Sequence, residues 1–156
     1  MQKDTLILFI KCPDRGQVKS RLAESIGEGR ARTLYRFFVE DLLDTLTGQN
    51  VYLRLYFEPH DAKDDISRWL GNRYDLFPQR GRDLGEKMKQ AFEETFQQGC
   101  RCALLIGSDV PDLTAGISKE GFDALSVHDA VLGPSMDGGY YLIGFRDDTF
   151  RPEIFE

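Results

Sequence analysis

Five consecutive apolar residues, Leu6-Ile7-Leu8-Phe9-Ile10, are bounded by Asp4 and Lys11. Side chains alternate between the two faces of a strand, so a strand apolar at every position is buried on both sides. Such a strand sits inside a sheet that helices cover on its two faces. The chain supplies the rest of that pattern. Ala31, Leu34, Tyr35, Phe38, Leu42, Leu43 and Leu46 recur at three- and four-residue steps, the apolar stripe of a long helix that Gly48 stops. Val51 to Phe57 reads as the next strand, Asp61 to Leu70 as a helix with Trp69 and Leu70 inward, and Tyr74 to Phe77 as a short strand. Leu84, Met88, Ala91, Phe92, Thr95 and Phe96 share one helical face, and Cys102 to Ile106 is a second wholly apolar run. A weaker helix over Ile117 to Leu125 precedes strands at Ala130 to Leu132 and Tyr140 to Phe145. Strands alternating with helices predict a three-layer α/β/α domain on a mostly parallel sheet.

Length and composition bound the function. A chain of 156 residues is expected to form one domain over residues 1–156, with a core that needs no staples. The net charge of −6 argues against a nucleic-acid partner, which is bound through clustered Lys and Arg, but leaves room for a local basic patch on a small phosphorylated ligand. Cys12, Cys100 and Cys102 lack the spacing of a disulfide framework and read as small buried side chains. No signal peptide and no apolar run of membrane-spanning length is visible, so the expected location is the cytoplasm, with no membrane span. The chain stops at RPEIFE without an obvious final element, and a C-terminal segment is expected to be missing.

Ligands of open α/β sheets lie beyond the carboxyl ends of the strands, which directs attention to four loops. The first carries Lys11, Arg15, Lys19 and Arg21 around Gly16, a position where backbone can approach a ligand. Lys and Arg there suit phosphate oxygens; the bland alternative is a solvated basic loop. The stretch is neither a Walker A loop nor a dinucleotide fingerprint. The loop Gly107-Ser108-Asp109-Val110-Pro111 puts a carboxylate just past a buried strand. Asp109 there is either a Mg2+ ligand bridging to a diphosphate or an Asx-turn before Pro111. Gly133 to Tyr141 places Asp137 beside Gly138 and Gly139, as a second site carboxylate or an ordinary Asp-Gly hairpin. In Gln79 to Glu86, Asp83 and Glu86 have the form of a capping box, which leaves Gly81, Arg82 and Gly85 without a structural reason.

These loops also carry a resemblance. Phe9, Lys11, Pro13, Gly16 and Val18 to Leu22, then Asp83 to Met88, then Gly107-Ser108-Asp109 with Pro111 and Leu113, then Gly133-Pro134 and Asp137 to Gly144 occur in that order. In them the sequence resembles a bacterial family classed with the glycosyltransferases, the radical-SAM/selenodomain-associated transferases, over nearly its whole length. That family is similar in fold to the GT-A nucleotide-diphospho-sugar transferases and looks related to the 2-phospholactate and molybdenum-cofactor guanylyltransferases. Ser20 replaces the usual Thr and Lys87 a frequent Arg, and the family commonly continues into a further acidic segment. The resemblance implies nucleotide contacts from Lys11, Gly16, Lys19, Arg21, Gly81, Asp83, Gly85 and Ser108. It implies catalytic roles for Asp109, Lys19 and Asp137, Mg2+ or Mn2+ on Asp109, and an acceptor side at Gly138, Gly139 and Tyr140.

The function expected is transfer from a nucleotide-activated donor to a small-molecule acceptor. In the glycosyl form the donor is a nucleotide-sugar; in the nucleotidyl form it is a nucleoside triphosphate, which four first-loop cations suit slightly better. The rival from another class is a non-catalytic nucleotide-binding module, which needs the basic loop but not Asp109.

Overall fold

The computed structural model describes residues 4–16, 18–110 and 112–156. Strand β1 (Thr5–Lys11) is followed by helices α1 (Ser20–Ile26) and α2 (Glu28–Leu46), strand β2 (Tyr52–Glu58), helix α3 (Lys63–Leu70) and strand β3 (Asp75–Pro78). Helix α4 (Leu84–Gln97), strand β4 (Cys102–Gly107), helix α5 (Ala115–Leu125), strands β5 (Ala130–Pro134) and β6 (Tyr140–Arg146) and a 3-10 helix (Pro152–Phe155) complete it. The six strands form one sheet in the order β3-β2-β1-β4-β6-β5. β1 lies inside it, parallel to β2 through Thr5↔Tyr52 and to β4 through Thr5↔Ala103.

Alternation along β1 divides the core in two. Leu6, Leu8 and Ile10 face one layer, where Tyr35, Val39, Leu43, Ile66 and Leu125 of α2, α3 and α5 meet them. Ile7 and Phe9 face the other, against Met88, Ala91, Phe92 and Phe96 of α4. The result is the expected α/β/α layering on a mostly parallel sheet. Truncating a fully buried side chain such as Leu8 to Ala costs about 2–5 kcal/mol at such a position.

The helical stripe of α2 differs in detail from its reading. Val39 is fully buried while Leu34 and Phe38 are only half-buried, because the helix rolls its contact line between them. Trp69 is half-buried, since its indole N–H donates to Glu40 Oε1 at 2.7 Å near the surface. Leu84 starts the α4 stripe but is 61% exposed. The C-terminal residues do form an element: the 3-10 helix stacks Phe155 on Phe92 at 6.1 Å, and Phe150 packs on Phe92 and Phe96 at 5.5 and 5.3 Å. Aromatic packing, which has no local period, hid it from the sequence.

β4 and β6 are antiparallel, with Ile106 opposite Leu142, so β6 begins where β4 ends. β5 is antiparallel to β6, with Pro134 opposite Tyr140, so β5 ends at the same rim. The loops after β1, β3, β4 and β5 therefore all open at one edge of the sheet.

Candidate active site

That edge holds a cavity of about 430 Å³. From β1 come Phe9 and Lys11, from β2 Glu58, from the loop after β3 Gln79, from β4 and its loop Gly107, Ser108 and Asp109, and from β6 Tyr140 and Tyr141. Leu84, Lys87 and Met88 of α4 close one wall.

The first and third loops meet here. Lys19 Nζ donates to Asp109 Oδ1 at 2.6 Å, across 90 residues of sequence. Lys19 takes the left-handed conformation at the start of α1, φ 49° and ψ 54°. For a non-glycine residue that costs about 1–2 kcal/mol. Its ammonium also lies 4.9 Å from the centre of the Phe38 ring, which supports the chain of methylenes. Gly16, at φ 103°, supplies the tighter turn before it. Asp109 stays open: its side chain is 74% exposed.

Tyr35 fixes the floor. Its hydroxyl accepts the Lys11 backbone N–H at 2.7 Å and pairs with Ser108 Oγ at 2.9 Å, so a residue of the α2 core stripe ties the ends of β1 and β4 together. Burial pushes the Tyr35 phenol up to about 12, which keeps it neutral. Beyond Lys11, Glu58 accepts from Lys87 Nζ at 2.6 Å and lies 3.9 Å from Lys11 Nζ. Burial pushes the Cys12 thiol up, so the cysteine nearest this edge is held protonated.

The remaining site candidates separate into those the cavity collects and those it does not. Lys11, Ser108, Asp109 and Tyr140 line it, and Lys19 reaches its rim through Asp109. Arg21 is exposed on α1 and pairs with nothing among the described residues. Arg15 is drawn away to Asp61 and Asp65 of the α3 region, at 2.7 and 3.0 Å, so two of the four first-loop cations serve this cavity rather than four. Asp83 is the N-cap of α4, accepting from Glu86 N at 2.9 Å. The reciprocal bond of a capping box is displaced by one residue: Glu86 takes the Arg82 N–H at 2.8 Å and its guanidinium as well. The residues that the cap left unexplained have packing reasons. Gly81 sits at φ 140° with the first turn of α4 only 2.7 Å from where a Cβ would stand, and Gly85 lies under Phe155. Asp137 turns onto its own hairpin, accepting from Ser135 Oγ and from Gly139 N at 3.0 Å; these bonds hold its carboxyl below the usual range, Ser135 first. Gly138, at φ 88°, makes the turn, and neither it nor Gly139 lines the cavity. Pro111, on which the Asx-turn reading of Asp109 depends, lies outside the described residues. Among the described residues no group of three or more His, Cys, Asp or Glu side chains is placed to hold a metal.

Residues 42–156 match the model of a family described as an uncharacterized protein conserved in bacteria (DUF2064). The chain belongs to this family. Among curated proteins none matches it. Among solved structures the DUF2064 chain is similar to a provisionally assigned nucleotide-diphospho-sugar transferase of Desulfovibrio desulfuricans, 40% identical with a TM-score of 0.95, over 100% of this chain and 68% of that one. It is also similar to 4-diphosphocytidyl-2C-methyl-D-erythritol synthase of Anaerococcus prevotii, at TM-score 0.59 and 11% identity, over 94% of this chain and 71% of that one. A manganese complex of the Rv0371C protein of Mycobacterium tuberculosis gives TM-score 0.58 at 10% identity, over 93% of this chain and 71% of that one. The last two share the fold.

Glu58, Gln79 and Lys87 are polar cavity residues of this DUF2064 chain that were not site candidates in the sequence, and Tyr35 braces the cavity from behind through Lys11 and Ser108. Glu58 carried the signal used for Asp109, a carboxylate directly after an apolar strand. Tyr35 carried none, because its hydroxyl sits in a helical stripe that reads as core.

Proposed function

We propose that this α/β domain is a transferase that moves a sugar from a nucleotide-diphosphate donor to a small-molecule acceptor. The observation that carries the reading is the contact of Lys19 with Asp109 at the mouth of the cavity, 2.6 Å apart and brought from separate loops. It sets a cation and a carboxylate side by side at the ligand edge of a sheet whose 40%-identical relative is provisionally assigned as such a transferase. With the Asp109 end of the pair open to solvent, the pair is worth on the order of 1 kcal/mol, whereas a charge-assisted bond to phosphate is worth about 1.5–3 kcal/mol. A diphosphate therefore takes Lys19 from Asp109. Lys11, with its ammonium beside Glu58 but not in close contact, offers a second cation.

A divalent cation fits what Lys19 leaves behind. Mg2+ needs only one or two carboxylates when ligand phosphates and water complete its shell, and Asp109 is one open carboxylate at that place. Bound there, Mg2+ or Mn2+ would neutralise the charge that develops on the departing diphosphate. Tyr140 and Tyr141 across the cavity form the wall for the acceptor, with the hairpin of Asp137, Gly138 and Gly139 above them. Nucleotidyl transfer from a nucleoside triphosphate is the second reading, favoured by the fold shared with a diphosphocytidyl synthase. It is weakened by the loss of Arg15 to Asp61 and Asp65.

Thermal shifts with nucleotide-sugars and nucleoside triphosphates, each with and without Mg2+, test the class. Ligand at a hundred times its Kd adds about 2.7 kcal/mol of stability, a rise of roughly 5–10 °C at this size. Metal-dependent shifts are expected with nucleotide-sugars. Product analysis then separates the readings: a nucleoside diphosphate for sugar transfer, pyrophosphate for nucleotidyl transfer. No shift with any nucleotide, with or without metal, would reject both.

A further inference from the structure

We infer that Lys87 is a positioning residue for the donor phosphates: by neutralising Glu58 it leaves Lys11 free to bind them. The inference rests on the nucleotide reading above and deepens it. Lys11 and Glu58 end neighbouring parallel strands in register, and the Cys12 N–H donates to Glu58 O at 2.8 Å, so backbone pairing continues to the rim. Neighbouring strands lie about 4.8 Å apart, well within reach of both side chains. An ammonium and a carboxylate so placed have every reason to close into contact. Yet Lys11 Nζ stands 3.9 Å from Glu58 Oε1, too far for a hydrogen bond, and its side chain is 56% exposed. The carboxylate is engaged elsewhere. Lys87 Nζ donates to Glu58 Oε2 at 2.6 Å, and both side chains are more enclosed than that of Lys11, at 25% and 29% exposed. Among the described residues Glu58 is the one ion-pair partner of Lys87.

The start of α4 is fixed at the turn that carries Lys87. The Lys87 N–H donates to Asp83 O at 3.1 Å, and a Cβ at Gly81 would stand 2.7 Å from that same nitrogen, so the preceding loop packs directly on it. Charge then gives the consequence. One carboxylate between two ammoniums leaves a net positive charge at this corner of the cavity, carried by the more open Lys11. Without Lys87 the corner is neutral. Glu58 then takes Lys11 as its partner, and an incoming phosphate must displace a carboxylate that also repels it. Lys87 thus acts through Glu58, and its effect should vanish once Glu58 carries no charge.

The test is a double-mutant cycle, titrated with the four common nucleoside diphosphates in the presence of Mg2+ and with melting curves to check that each variant is folded. Lys87→Met should weaken the diphosphate that wild type binds best by about tenfold, whereas Lys87→Arg, which keeps the charge, should stay within about twofold. Glu58→Gln alone should bind at least as tightly as wild type. Adding Glu58→Gln to Lys87→Met should restore affinity to within about threefold of wild type. Restoration is the deciding result, because a merely structural loss at α4 is not cured by removing a second partner. If Lys87→Met does not fold, Lys87→Gln takes its place in the cycle. A loss that Glu58→Gln does not restore means that Lys87 touches the nucleotide itself, and it overturns the inference; so does an affinity that neutralising Lys87 leaves unchanged. Both results leave the nucleotide reading standing. Wild type that binds no nucleoside diphosphate overturns the nucleotide reading, and this inference with it.

Discussion

Lys19 holds three roles in a few ångströms: a left-handed backbone at the start of α1, an ion pair with Asp109 and a cation over Phe38. Strain of that kind persists where the surroundings over-determine it. The Lys19→Ala protein should keep its fold, because the carboxylate it leaves unpaired, Asp109, is 74% exposed and water can solvate it, yet bind nucleotide about tenfold or more weakly. Unchanged affinity by calorimetric titration would reduce the first loop to solvated surface. Tyr35 gives the opposite balance. Tyr35→Phe leaves the Lys11 N–H without its acceptor in a half-buried setting, so about 1–2 kcal/mol of stability should go, read as a lower denaturant midpoint. Asp109, by contrast, was legible as a site candidate from sequence because it follows an apolar strand, whereas Tyr35 was not, because a hydroxyl inside a helical stripe leaves no periodic trace.

At the scale of elements, α4 carries most of what the cavity asks of helices. Lys87 reaches Glu58 from it, and Leu84 and Met88 form a wall. Its N-terminus is set by Asp83 and by Gly81, whose left-handed φ and lack of a side chain let the loop press against Glu86 and Lys87. Asp83→Ala should cost about 1 kcal/mol, the usual worth of an N-cap. Gly81→Ala should cost more than ~2 kcal/mol, since strain at positive φ adds to a clash at 2.7 Å with backbone that cannot yield cheaply. Equal, small effects for the two in chemical denaturation would contradict that packing. The sequence showed the cap itself. It did not show why Gly81 and Gly85 were needed, because both answers lie in contacts with other elements, one of them a C-terminal turn that carries no pattern of its own.

The whole molecule has a pH signature set by two buried phenols. Burial pushes Tyr35 and Tyr56 up to about 12. In the unfolded chain a tyrosine ionises near 10, so between about pH 10 and 12 the folded state holds protons that the unfolded state releases. Their contribution is full below about pH 10 and is lost as pH rises through 12. The melting temperature should therefore fall steeply across that window, and replacing either tyrosine with Phe should flatten the fall. At this scale the architecture was readable: two wholly apolar runs demanded helices on both faces, and the structure has α2, α3 and α5 on one and α4 on the other. What brings loops from the two halves together is the antiparallel return of β6 against β4, a matter of topology that periodicity does not encode. The central claim is that this shared edge binds a metal–nucleotide complex through Asp109. Its most direct test is titration of nucleotide into wild type and Asp109→Asn, each with and without Mg2+. Metal should tighten binding to wild type and leave the variant's affinity unchanged, with both proteins melting within a degree or two of each other; the same response to Mg2+ in both would contradict the account.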